Sequence, residues 1–136
     1  MIVSCDGASR GNPGPAGIGV QITDDEGAVL AEIAEGLGET TNNVAEYTAA
    51  IEGLKRALKL GGTDVLLRSD SQLLINQLTG RYRVRTAHIV PLHREVLSLA
   101  AKFDRISYEH VRRERNTEPD RLANEGVDRM LQERGY

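Results

Sequence analysis

A mixed α/β fold, one sheet with helices on its faces, is predicted by three features of this 136-residue chain. Short apolar runs bounded by turn residues fill its first third. Apolar residues then recur at helical spacing from Asn43 to Leu60 and again towards the C-terminus. The resulting order is three strands, helix, strand, two helices, strand, helix, a meander followed by crossover units.

Each element has a local reason. Met1 to Asp6 is an apolar run ending at an acid, the mark of a buried strand. The stretch "GASRGNPGPAG" that follows is read as a tight loop, because its glycines and prolines oppose regular structure. Gly17 to Thr23 and Ala28 to Leu37 are strands joined by a "DDEG" turn. At about 100° per residue the helix from Asn43 to Leu60 gathers Val44, Tyr47, Ile51, Leu54 and Leu58 into its main apolar stripe. Its charged side carries Glu52, Lys55, Arg56 and Lys59, and Gly61-Gly62 ends it. Asp64 to Ser69 is a strand and Ser71 to Leu78 a short helix. Ala87 to Phe103 reads as helix with Pro91 near its start, Arg105 to Val111 as the last strand, and Pro119 to Gln132 as the closing helix. Residues 1–136 are expected to form a single domain.

Composition narrows the function. Hydrophobic residues make up 40% and charged residues 27%, the balance of a soluble globular chain. No run approaches the roughly 20 apolar residues of a membrane span, and no signal-peptide pattern opens the chain. A single cysteine, Cys5, excludes an internal disulfide and any multi-cysteine metal site. The expectation is a cytoplasmic monomer with no membrane partner. The net charge of −3 speaks weakly against nucleic acid, but its distribution speaks for it. Fourteen of the 17 basic residues are arginine, bunched in "RYRVR" (Arg81 to Arg85) and "RRER" (Arg112 to Arg115). Arginine suits planar, bidentate contact with phosphate.

Four acids fall at the ends of elements. Asp6 and Asp70 close the first and fourth strands, and ligands of open α/β sheets bind beyond strand C-termini. Glu46 and Asp120 lie in the first turns of the long and last helices. Each has a local use: Asn43-x-x-Glu46 and Thr117-x-x-Asp120 fit capping boxes, and Asp70 can cap the helix after it. Yet Glu46 points away from the charged side, in line with Ala50, Gly53 and Ala57, where another element must pack closely. Gathered together, such acids repel, by about 4 kcal/mol for a pair 4 Å apart at an effective dielectric of 20. A cluster of that kind makes sense with divalent cations in it. Oxygen-only ligands favour Mg²⁺ or Mn²⁺ over zinc, and two such ions form a phosphoryl-transfer site.

"DGASRGNPGPAGIG", "TTNNVAEYTAAIEGL", "SDSQLLINQL" and "RNTEPDRLAN" resemble, in order and across nearly the whole chain, the signature blocks of the ribonuclease H, type 1 family. The resemblance implies a ribonuclease H-like fold with a five-stranded mixed sheet. It implies metal-dependent hydrolysis of the RNA strand of RNA–DNA hybrids, leaving 5′-phosphate and 3′-hydroxyl ends. Two Mg²⁺ ions, with Mn²⁺ as a possible substitute, would be held by Asp6, Glu46, Asp70 and Asp120. The resemblance also matches Asn12, Asn42, Asn43 and Gln72 to residues that touch base edges and RNA 2′-hydroxyls in the minor groove, and the 2′-hydroxyl is what separates RNA from DNA. Thr41 matches a threonine on a DNA-strand phosphate.

Two departures stand out. The path from Leu78 to Pro91 is too short for the basic helical handle of larger members. The loop that in many members holds a histidine before the last aspartate reads "VRRERNTEP". His110, at a strand end, is expected to be structural; His88 and His93 are expected to face solvent from a helix. Without the handle, Arg81, Arg83 and Arg85 become the candidate phosphate grip, projecting to one side if their segment is extended, with Tyr82 available to pack on a sugar or base. Two alternatives share this fold: a nuclease that also cuts RNA duplexes, and a hybrid-binding module without catalysis.

Overall fold

The computed structural model describes residues 1–135. Its elements are β1 (Ile2–Ser9), β2 (Gly14–Thr23), β3 (Val29–Thr40), α1 (Asn42–Lys59), β4 (Asp64–Ser69), α2 (Gln72–Leu78), α3 (Val90–Ala100), β5 (Arg105–His110), a 3₁₀ turn (Arg113–Arg115) and α4 (Thr117–Glu133). The five strands form one mixed sheet in the order β3-β2-β1-β4-β5. β1, β2 and β3 pair antiparallel as the meander, whereas β4 and β5 join parallel through helical crossovers. This is the five-stranded mixed sheet that the resemblance implies.

The glycine-rich stretch departs from expectation. β1 does not stop at Asp6: Gly7, Ala8 and Ser9 go on pairing with Ile18, Gly17 and Ala16 of β2. The loop shrinks to residues 10–13, where the Asn12–Pro13 peptide bond is cis. Small side chains weaken a strand in isolation, but continued pairing satisfies the backbone here. β3 likewise runs past Leu37 to Thr40. In contrast α3 is shorter than its pattern: residues 87–89 form a turn, and the helix starts at Val90 with Pro91 in its first turn.

The two faces of the sheet carry different helices. In β2, neighbouring side chains alternate between faces, so Val20 meets Gly53 of α1 while Gly19 faces α4. α1 lies between the sheet and α3. Its deepest side is the small-residue one: Ala49, Ala50, Gly53 and Ala57 are buried along with Tyr47, Ile51 and Leu54. Val44 and Leu58, assigned to the main stripe, are only half-buried. A Cβ on Gly53 would lie 2.7 Å from Val3 Cγ1, so glycine sets how closely the helix approaches β1. After Leu60, Gly61 turns the chain out of the helix at φ +80°.

His93 is half-buried and turned towards α2. Its Nε2 lies 3.1 Å from the Gln77 carbonyl oxygen, and its ring meets Tyr47 edge-on at 6.3 Å. The Tyr47 hydroxyl donates to Gln77 Oε1 at 2.6 Å, so α1, α2 and α3 are tied together at one buried point. The expectation failed because the partner, Gln77, lies on another helix. His88 is exposed, in the turn before α3. Among the described residues no helix is long and apolar enough to cross a membrane.

Candidate active site

Sheet register brings the first two acids together. Cys5 of β1 pairs with Ser69 of β4 in the parallel ladder. Asp6 and Asp70 come next in the chain after each, so the two acids stand side by side where the β1–β4 pairing ends, Asp6 within β1 and Asp70 just past β4.

The helix acids arrive because two glycines let their helices approach. A Cβ on Gly7 would collide with the Ala45 carbonyl group and the Glu46 amide, so α1 starts directly over β1. Glu46 is 5% exposed, and its Oε2 accepts the Gly7 N–H at 3.3 Å. It caps nothing. The N-cap of α1 is Thr41, whose side chain accepts from the Val44 amide, and Asn43 is already helical. Gly19 stands opposite Asp6 in the β1–β2 register. A Cβ there would overlap the Pro119 carbonyl oxygen, so glycine admits the first turn of α4 and with it Asp120. The expected capping box of that helix is also absent: Asn116 is the N-cap residue, without a side-chain cap. Asp70 is not a cap either, because Ser71 caps α2.

Asp6, Glu46 and Asp70 each present an oxygen, and these three lie within 4.8 Å of one another. Asp120 lines the same cleft, of about 440 Å³, close enough for its charge to bear on Asp6. Burial, then the charges of Glu46 and Asp70, push the Asp6 carboxyl up to about 9. Burial and Asp70 raise Glu46 to about 8, against the Gly7 N–H. Asp70 is raised by burial too, although the Asp6 hydrogen bond and the Arg113 guanidinium pull it back. Carboxylates this close are at odds with neutral pH unless positive charge joins them. The donor set is all oxygen, which fits a hard divalent cation. Cys5, the one thiol, is buried and lies 3.4 Å from the Arg68 carbonyl oxygen, outside the set.

The other candidate residues divide. Asn42 is exposed on the cleft wall, and its backbone N–H donates to Asn12 Oδ1 at 3.0 Å. Asn12 is thereby bound to the start of α1, where Thr41 serves as the cap. Asn43 is half-buried beside the cleft lining, and Gln72 is exposed at the start of α2. Arg81, Arg83 and Arg85 are exposed in an irregular segment away from the cleft lining. Two arginines border the acids and were not singled out individually by sequence. Arg10 spans the cleft edge to Asp128 at 2.7 Å and to Asn124 Oδ1 at 3.3 Å. Arg113 lines the cleft from the 3₁₀ turn. Contacts across more than a hundred residues leave no local pattern to read, and "RRER" marked a cluster without marking which arginine turns inward.

A reverse transcriptase-like family model matches residues 4–126. A bifunctional protein of Mycobacterium tuberculosis is 46% identical over 97% of this chain, which spans only 36% of that protein. A ribonuclease H of Coxiella burnetii is 36% identical, covering 93% of this chain and 89% of its own. Among solved structures, LC11 ribonuclease H1 in complex with an RNA/DNA hybrid superposes with a TM-score of 0.91 at 38% identity, over 96% of this chain and 98% of that one.

Proposed function

The chain belongs to the ribonuclease H family, and from that premise we propose that it hydrolyses the RNA strand of RNA–DNA hybrids to 5′-phosphate and 3′-hydroxyl ends. The observation that carries the proposal is the meeting of Asp6, Glu46, Asp70 and Asp120, from β1, α1, the β4–α2 junction and α4, in one cleft. The hybrid bound to LC11 ribonuclease H1 supports the choice of substrate.

Two Mg²⁺ ions bound there, or Mn²⁺ in their place, would activate water and stabilise the leaving oxygen. Asp6, Glu46, Asp70 and Asp120 would be their ligands. The Gly7 N–H fixes the Glu46 carboxylate so that it reaches the cleft without reorganising. Asn42, held by Asn12, offers its side-chain amide to the minor-groove face of the hybrid. Asn43 and Gln72 flank it as further readers of the 2′-hydroxyl, while Thr41 lies within the same turn for a DNA phosphate. Arg81, Arg83 and Arg85 give the remaining grip on the backbone.

Labelled RNA–DNA hybrid, RNA duplex and DNA duplex, each with Mg²⁺, Mn²⁺ or chelator, test the reading. Cleavage of hybrid RNA alone, dependent on metal, is the expected result. Equal cutting of RNA duplex would replace it with a broader nuclease, and hybrid binding without cleavage would reduce it to a binding module.

A further inference from the structure

The "RRER" turn divides two depressions of the surface. Arg113 lines the acid cleft, whereas Arg112, Glu114 and Arg115 line a groove of about 730 Å³ on its other side. The groove continues over Arg68, Glu109 and His110 at the carboxyl ends of β4 and β5. Arg68 stands opposite Glu109 in the parallel register, and the two side chains pair at 2.6 Å.

The backbone of the turn is held at both ends. At its start, the Val111 N–H donates to the Ser69 carbonyl oxygen at 3.0 Å. At its end, Asn116 is 1% exposed, and its Nδ2 donates to the Cys5 carbonyl oxygen at 3.0 Å. Between them the Arg115 N–H closes on the Arg112 carbonyl oxygen at 2.9 Å, and the Asn116 N–H on that of Arg113 at 3.0 Å. Side chains three residues apart in such a turn lie nearly over one another. Arg112 and Arg115 therefore share the groove, while Arg113 turns to the acids.

The charges of the groove are unevenly matched. Glu109 is occupied by Arg68. Among the described residues Arg112 and Arg115 form no ion pair, and nor does Glu114. Two exposed guanidinium groups against one carboxylate leave this side of the turn positive. A duplex carries one negative charge per roughly 1.7 Å of its axis, so a hybrid with one phosphate at the acids brings others to either side. A strand that leaves the cleft across the turn meets Arg112 and Arg115 next. Planar, permanently charged forks on a fixed backbone suit its phosphates.

We propose that this groove is a second phosphate-binding site, in which Arg112 and Arg115 grip the backbone of the substrate beyond the cleft. The proposal rests on the hybrid reading above and gives the chain a footprint longer than its acid site. Glu114 opposes that grip.

The test measures affinity in Mg²⁺ for hybrids of about 6 to about 18 base pairs, at roughly 3.4 Å of strand per phosphate. Asp70→Asn is the parent. To it are added Arg112→Ala with Arg115→Ala, or Glu114→Gln, or Arg94→Ala with Arg105→Ala as an equal loss of charge elsewhere. Losing Arg112 and Arg115 should flatten the log–log salt slope on the longest hybrid by roughly 1.4–1.8, at roughly 0.7–0.9 per phosphate, and weaken its binding by about tenfold. The penalty should shrink as the hybrid shortens. Glu114→Gln should tighten binding, and the Arg94 and Arg105 pair should match the parent. Melting temperatures should agree across the set, since all these side chains are exposed. In the active chain the same loss should appear in KM, with kcat within about twofold. An unchanged slope, a penalty equal at every length, or one reproduced by the Arg94 and Arg105 pair overturns the site. Wild type that leaves hybrid uncut overturns the nuclease reading alone, because the affinities still decide the groove. A parent that binds no hybrid at any length overturns both.

Discussion

Glu46 Oε2 accepts the backbone N–H of Gly7 at 3.3 Å, joining the second turn of α1 to the residue after Asp6. This bond spans 39 residues of sequence and shows why Glu46 turns to the small-residue side of its helix. It reaches inward, to the backbone of β1, where burial and other acids keep its carboxyl well above the usual range.

Removing one charge from the cluster separates catalysis from stability. Asp70→Asn should abolish hybrid cleavage while melting at or above the wild-type temperature in chelator, because like-charge repulsion is relieved. Activity assays and thermal melts on the same preparation check this. A folded variant with near-normal turnover would remove Asp70 from the site.

Metal should stabilise the native chain, which alone gathers the ligands. Titrating Mg²⁺ should raise the melting temperature of wild type and raise that of Glu46→Gln less. An equal shift in both would assign Glu46 a structural role only.

In chelator, stability should fall as pH rises. Asp6 goes from 3.8 to about 9 on folding, and Glu46 from 4.5 to about 8. Between those limits the folded chain holds more protons than the unfolded one, so the slope of stability with pH is negative. Their contribution is complete below about pH 4 and disappears as pH passes through about 8 to 9. Melts from about pH 5 to 9 should show the decline in chelator, and Mg²⁺ should flatten it. A rise in stability over that range without metal would contradict the burial of these acids.

Gly19→Ala should damage the site without touching any acid. Its new Cβ must displace Pro119, and overpacking of this kind costs about 1–3 kcal/mol. The first turn of α4 then moves Asp120 away from Asp6, so cleavage should fall further than the loss of folded protein explains. Denaturant melts beside kcat measurements decide.

The polar readers and the arginines separate by kinetics. Asn43→Ala should hurt hybrid cleavage with little loss of stability, whereas Thr41→Ala loses the helix cap, worth about 0.5–2 kcal/mol. Replacing Arg81, Arg83 and Arg85 by Ala should raise KM, leave kcat nearly unchanged and flatten the salt dependence. The log–log slope should change by roughly 0.7–0.9 for each phosphate that is no longer neutralised. An unchanged slope would leave these side chains without a partner.

Much of this architecture is encoded locally. The order of elements follows from alternation and helical periodicity, which depend on neighbours a few residues away. That order, with acids at the ends of two strands and in the first turns of two helices, already implied that Asp6 and Asp70 share a crevice. The short path from Leu78 to Pro91 left no room for a further helix, and α2 and α3 are joined by an irregular segment. Only tertiary structure decided the rest. Whether "GASRGNPGPAG" is loop or strand depended on β2 lying beside it. Whether Glu46 capped its own helix depended on Gly7, and whether His93 met water depended on Gln77. Asn116 and Arg113 gained their positions from Cys5 and Ser69, on strands far away in sequence. Local propensity sets which element forms, but a hydrogen bond or close approach between elements exists only once the sheet has assembled.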